Sequence, residues 1–171
     1  MKLKSLFIIW VALLMFSTLF ISGVSAQTLS FGNSYLNQTL DGERAPNILA
    51  TDFTLQWVVP DAGATYRARL HDDSLIWQRL EIGPRHKNIS LFYSLDMTNI
   101  STLSGGGVRV SQSHQAGRLM ELSAGVYDSG LCFEGAYSVE RSGFVGRISY
   151  EYRKLGDVRW WGPSLSMGWG W

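Results

Sequence analysis

Gly162-Pro163-Ser164-Leu165-Ser166-Met167-Gly168-Trp169-Gly170-Trp171 closes the chain, and the alternation within it decides the fold. Large apolar residues stand at 165, 167, 169 and 171, with only Ser or Gly between them. Successive side chains of a strand point to opposite faces, so every large group falls on one side and every small group on the other. One side then suits lipid and the other a crowded barrel lumen. A Gly-rich run of this period has no helical repeat to offer.

The same period of two recurs upstream. Strands are predicted at roughly 28–38, 47–59, 64–71, 75–83, 88–98, 107–113, 118–128, 130–140, 143–153 and 158–171. Turn chemistry separates them at Pro60-Asp61-Ala62-Gly63, Asp72-Asp73-Ser74, Asp128-Ser129-Gly130, Arg141-Ser142-Gly143 and Gly156-Asp157. Segment 130–140 sets Leu131, Phe133, Tyr137 and Val139 against Cys132, Glu134, Ala136, Ser138 and Glu140. Segment 143–153 sets Phe144, Ile148, Tyr150 and Tyr152 against Arg147, Ser149, Glu151 and Arg153. In segment 47–59 Leu49, Phe53, Leu55, Trp57 and Val59 oppose Asp52, Thr54 and Gln56. In segment 88–98 Ile89, Leu91, Tyr93, Leu95 and Met97 oppose Ser90, Ser94 and Asp96, and Phe92 breaks the rule. Charges avoid the apolar face, where Arg or Lys at mid-bilayer costs ~2–4 kcal/mol. A soluble sandwich shows the same alternation with its apolar face inward.

A last strand of alternating apolar residues ending in an aromatic resembles the assembly signal of bacterial outer-membrane β-barrel proteins, with Trp171 where Phe is commoner. The resemblance implies that Leu165, Met167, Trp169 and Trp171 are read by the barrel-insertion machinery. It rests on the C-terminus and assigns no family within the class. The fold expected is all-β: one closed antiparallel up-and-down transmembrane barrel of eight or ten strands, both even counts. Ten strands fit only if nearly all connections are tight; eight leave room for outer loops, with one short pair as a loop excursion. The outer connections are expected at 39–46 and 98–106, and Gly105-Gly106-Gly107 reads as a flexible loop entering a strand. Trp57, Trp160, Trp161, Trp169 and Trp171 fall at or near strand ends, as in an aromatic girdle.

The N-terminus agrees on the address. Met1-Lys2-Leu3-Lys4-Ser5 is basic, an apolar run follows from Leu6 to Ile21, and Val24-Ser25-Ala26 offers a cleavage site. Residues 1–26 are expected to be a signal peptide and 27–171 the barrel domain. An uncleaved anchor is the alternative, because the apolar run is near the ~18–20 residues that span a bilayer. With Lys2 and Lys4 removed, the 15 Lys+Arg and 14 Asp+Glu remain nearly balanced, which gives no reason to invoke nucleic acid. Cys132 is the one cysteine, so no internal disulfide holds the domain.

The predicted inner face collects Arg67, Arg69, Arg79, Arg109, Arg147 and Arg153 with Asp52, Glu81, Asp96, Glu121, Glu134, Glu140 and Glu151. Guanidinium groups fork to carboxylates with two hydrogen bonds, so this set can neutralise itself and fill a small lumen. A plugged barrel is expected, with a narrow polar channel as the alternative.

Enzymatic chemistry finds little support. His71 stands at a strand end and His86 in the basic turn Pro84-Arg85-His86-Lys87. Ser113-His114 with Glu121 could attack an ester, as outer-membrane lipid A deacylases do. Those enzymes carry His-x-Ser near the C-terminus, whereas adjacent residues on a strand point apart. No metal or cofactor pattern is present. The expected function is therefore non-enzymatic: an integral outer-membrane protein with a structural or surface-interaction role, whose partners are outer-membrane lipid and lipopolysaccharide. A channel, a lipid-modifying enzyme and a soluble lipocalin-like barrel are the alternatives.

Overall fold

The computed structural model describes residues 26–72, 74–98, 101–115 and 117–170; residues 1–25 of the expected signal peptide and Trp171 lie outside them, while Ala26 already opens the first strand. Ten strands follow in order: β1 (Ala26–Leu40), β2 (Glu43–Val59), β3 (Ala62–His71), β4 (Ser74–His86), β5 (Ile89–Thr98), β6 (Thr102–His114), β7 (Arg118–Tyr127), β8 (Gly130–Arg141), β9 (Phe144–Leu155) and β10 (Val158–Gly170). Each pairs antiparallel with its chain neighbours, and β1 pairs with β10 to close the ring. The barrel is thus all-β, closed and up-and-down, with ten strands rather than eight and no pair diverted into a loop.

Tight turns make ten strands possible. At Asp41-Gly42 and Ser142-Gly143 both residues have positive φ, which matches the right-handed twist of the strands they join. The expected outer loop at 39–46 shrinks to Asp41-Gly42, because β1 runs to Leu40 and β2 starts at Glu43. The expected loop at 98–106 shrinks in the same way, because β6 starts at Thr102. Pro84, Arg85 and His86 belong to β4 and not to a turn.

The glycine run is likewise strand and not loop. Gly105, Gly106 and Gly107 pair with Tyr127, Val126 and Gly125 of β7. Phe92 supplies the reason. It points into the lumen, and a Cβ on Gly107 would collide with its Cζ and with the Ala124 carbonyl oxygen. The residue that breaks the alternation of β5 and Gly107 are therefore two halves of one packing feature, and Gly105 makes room for the Tyr127 ring in the same way.

The register sends apolar side chains outward. Phe31 pairs with Phe53 and Met167, and Leu165 with Ile148, all on the outer face. Leu122 and Val126 remain 68% and 71% exposed. Trp57, Trp161 and Trp169 share this outer face. Trp160 does not: adjacent residues alternate, and it turns into the lumen, where it is buried. The four connections at 60–61, 87–88, 115–117 and 142–143 share one end of the barrel, the termini end, with the start of β1 and the end of β10. The other five form the far end.

Replacing Gly107 with Val should cost about 2–3 kcal/mol or abolish folding, since neither a backbone carbonyl nor a walled-in ring can move aside. Urea titration of the heat-modifiable folded band on a detergent gel measures the loss.

Candidate functional site: the barrel lumen

Parity brings side chains from all ten strands into one interior. At the far end they are apolar. Leu36, Trp77, Tyr127, Cys132, Leu155 and Trp160 form one buried cluster, with Ile48, Leu103 and Val158 against it. Trp77 and Trp160 meet edge to face at 6.3 Å. These residues come from the ends of β1, β4, β7, β8, β9 and β10 nearest the far-end turns, and together they cap the lumen.

Below the cap lies a charged layer, and Trp77 joins the two. Its indole Nε1 donates to Asp96 Oδ1 at 2.7 Å. The guanidiniums of Arg153 and Arg69 lie over its ring at 4.5 and 5.2 Å. Aromatic faces attract such cations, more strongly where water is excluded. Phe92 serves Arg79 and Arg109 in the same way, at 5.4 and 5.5 Å.

The ion pairs form two chains. In the first, Asp52 binds Arg69 at 2.6 Å, Arg69 binds Glu151 at 2.5 Å, and Arg153 joins Glu151 to Asp96 at 3.3 and 3.2 Å. Arg79 continues from Asp96 at 3.8 Å to Glu81, and Arg109 closes on Glu81 at 2.5 Å. In the second, Arg67 binds Glu134 at 2.6 Å, and Arg147 bridges Glu134, at 3.0 Å, to Glu121. Each chain holds as many guanidiniums as carboxylates, so each is neutral by itself. The Arg67–Glu134 pair runs from β3 to β8, on opposite sides of the ring. Such pairs brace the walls across the lumen, where a charge left without its partner would be costly.

The lumen holds a cavity of about 310 Å³ that runs from the termini end past members of both chains, among them Arg67, Glu134, Arg69 and Glu151. Ser and Thr hydroxyls such as Thr28, Ser30 and Ser111 line it, with Arg85 among them. Its lining reaches up to Trp77 and stops there.

The structure places twelve of the thirteen predicted charges in the two chains. Glu140 stands apart, exposed at the cavity mouth. Leu165, Met167 and Trp169 are outward and more than half exposed. Ser113 turns toward the lumen and His114 away from it, while Glu121 is engaged by Arg147, so no Ser–His–acid set is assembled. His71 Nδ1–H donates a hydrogen bond to the Leu49 carbonyl at 3.0 Å. Among the described residues no group of three or more His, Cys, Asp or Glu is placed to hold a metal ion. The residues that sequence reasoning missed are the apolar ones inside: Trp77, Trp160, Phe92, Tyr127 and Leu155. Only Phe92 announced itself, as an apolar residue on a polar parity.

A closed antiparallel ring, apolar outside and ion-paired inside, defines a small β-barrel turned inside out relative to a water-soluble one. No family model matches the chain, and neither does any curated protein. Among solved structures it is similar to Ail, the attachment invasion locus protein of Yersinia pestis, in complex with the heparin analogue sucrose octasulfate: 18% identity and TM-score 0.43 over 88% of this chain and 100% of that one. A second Ail structure gives 19% identity and TM-score 0.42, covering 88% and 100%. Neisserial surface protein A (NspA) gives 9% identity and TM-score 0.48, covering 85% and 98%.

Arg69 and Asp52 should respond unequally to replacement. Arg69→Met strands Asp52 and takes one of two partners from Glu151, at about 3–5 kcal/mol. Asp52→Asn should cost less than half as much, because Arg69 keeps Glu151. Urea midpoints of the folded band for the two variants give the comparison.

Proposed function

We propose that this protein is an integral outer-membrane β-barrel with a structural or surface-interaction role and a lumen closed to solute. The reversal of sides carries the reading. Phe31, Leu49, Leu91, Leu122, Ile148 and Leu165 face outward, while Asp96, Arg79 and Arg153 are at most 2% exposed. In water this wall would present far more apolar surface than the few hundred Å² a soluble monomer tolerates. In lipid it is the solvated face, and the closed ring leaves no unpaired strand edge. A lipocalin-like soluble barrel would need the opposite parity on every strand.

The apolar cap of Leu36, Trp77, Tyr127, Leu155 and Trp160 supports closure of the lumen. A narrow channel would need a continuous polar path, whereas the cavity stops below Trp77. The partners in this reading are outer-membrane lipid and lipopolysaccharide. Export would use residues 1–26 as a signal peptide, and the insertion machinery would read Leu165, Met167, Trp169 and Trp171.

Planar bilayers or liposomes holding the folded protein should show no conductance steps, while the same preparation shifts its gel mobility on heating. Steps whose size changes with Arg147→Gln or Glu134→Gln would move the reading to a channel. A soluble periplasmic protein with no heat shift would overturn the membrane assignment altogether.

Replacing both Trp169 and Trp171 with Ser should lower the yield of folded barrel in the outer membrane several-fold. Cell fractionation followed by heated and unheated gels reads this yield. Unchanged assembly would remove the role given to the last strand.

A further inference from the structure

The outer wall is not uniformly filled. Two neighbouring outward rows cross β7, β8, β9 and β10. One row runs Leu122, Gly135, Tyr150, Pro163, and the other runs Met120, Tyr137, Ile148, Leu165. Gly135 puts no side chain into the first row, and an open furrow of about 790 Å³ results. Its walls are the Met120, Leu122, Tyr137, Ile148, Tyr150 and Leu165 side chains, and it continues toward Tyr35 and Leu49. The volume lies within the range of sites that hold small ligands.

The furrow is inclined. On β7 it begins at Met120, two residues from the start of the strand, and on β1 it reaches the middle of the strand at Tyr35. Its low end therefore lies near the termini end of the barrel. There Arg118 stands one outward position, about 7 Å, beyond Met120. Arg141 ends β8 on the same outer face, and His114 pairs with Arg118 across the ladder. All three are exposed. Among the described residues neither arginine makes an ion pair, and the nearby acids Glu121 and Glu140 lie on the lumen parity. A cationic pair thus borders the low end of an apolar furrow.

We infer that this furrow is a site for one anionic diacyl phospholipid of the leaflet on the termini side. The headgroup phosphate engages Arg118 and Arg141, and one acyl chain rises along the furrow over Gly135. The inference rests on the membrane reading above. Charge complementarity selects an anionic headgroup, since basic residues at a membrane surface favour anionic lipid by about fivefold each. Two unpaired guanidiniums also suit a phosphate geometrically, because each can offer paired donors. The furrow adds what scattered surface charge would lack, a defined seat for a chain.

The test uses the folded full chain in nanodiscs of phosphatidylcholine and phosphatidylglycerol, released into native mass spectrometry. One phosphatidylglycerol should be retained about 25-fold in preference to phosphatidylcholine. Arg118→Gln with Arg141→Gln should bring retention down to the phosphatidylcholine level. Gly135→Leu should do so with both charges intact. It does not threaten the fold, because the new Cβ would meet only the Leu122 side chain, at 3.4 Å. Arg44→Gln with Arg159→Gln, at the far end, should change nothing. Equal retention of the two lipids, or wild-type selectivity in both site variants, overturns the site alone. Failure to enter any bilayer overturns the membrane reading and the site together.

Discussion

Closing the ring between β1 and β10 fixes the side of every residue in the barrel. An open sheet could slip by one residue at an edge strand and lose little. A closed one cannot, because a single slip would exchange inside for outside along a whole strand. On β9 such a slip would put Arg147, Glu151 and Arg153 into the apolar layer and Ile148, Tyr150 and Tyr152 into the lumen. The observed register keeps the parity of all ten strands consistent, with irregularities confined to the bulges between Leu36 and Gln38 and between Arg69 and Leu70.

Once parity is fixed, the interior must settle its own electrostatics. Twelve charged groups are held there away from bulk water, and isolated burial of any one would be prohibitive. Partition into two neutral chains is a solution in which every charge has an oppositely charged partner. Arginine suits it better than lysine, since Arg69, Arg147 and Arg153 each serve two carboxylates through a planar fork. The arrangement also binds distant strands to one another, so strands that never share a ladder are coupled across the lumen.

The outer wall and the charge set were legible in the sequence because each depends only on parity. Leu131, Phe133, Tyr137 and Val139 read as one face of β8 without knowledge of any partner strand. The strand count was harder. Gly105-Gly106-Gly107 and Pro84-Arg85-His86 carry turn-forming residue types, yet both are strand, because what they accommodate is remote: Phe92 for Gly107, Tyr127 for Gly105, and the neighbouring ladder of β5 for Arg85 and His86. The apolar cap was illegible for a related reason. Trp77, Trp160 and Leu155 sit at strand ends, where aromatic and apolar residues fit an interfacial girdle equally well. Only the parity counted through the whole strand separates the two roles, and a turn misplaced by one residue inverts it. The outward furrow lay further still beyond sequence reading, since its walls come from strands whose mutual register no single segment specifies.

Strand number explains why the cap and the braces are both needed. About eight strands give an interior that side chains just fill, and a ring of ten is wider. Serine and threonine alone would leave such a lumen open, as in the cavity at the termini end. Filling the rest requires the largest side chains, and those are tryptophan, tyrosine, phenylalanine and arginine. Stacking the two kinds, with Arg153 over Trp77 and Arg79 over Phe92, lets each guanidinium spend its edge on carboxylates and its face on a ring. The glycines of β6 then follow from the same demand. A lumen packed with groups of this size must thin its own wall somewhere, and Gly107 is where Phe92 requires it.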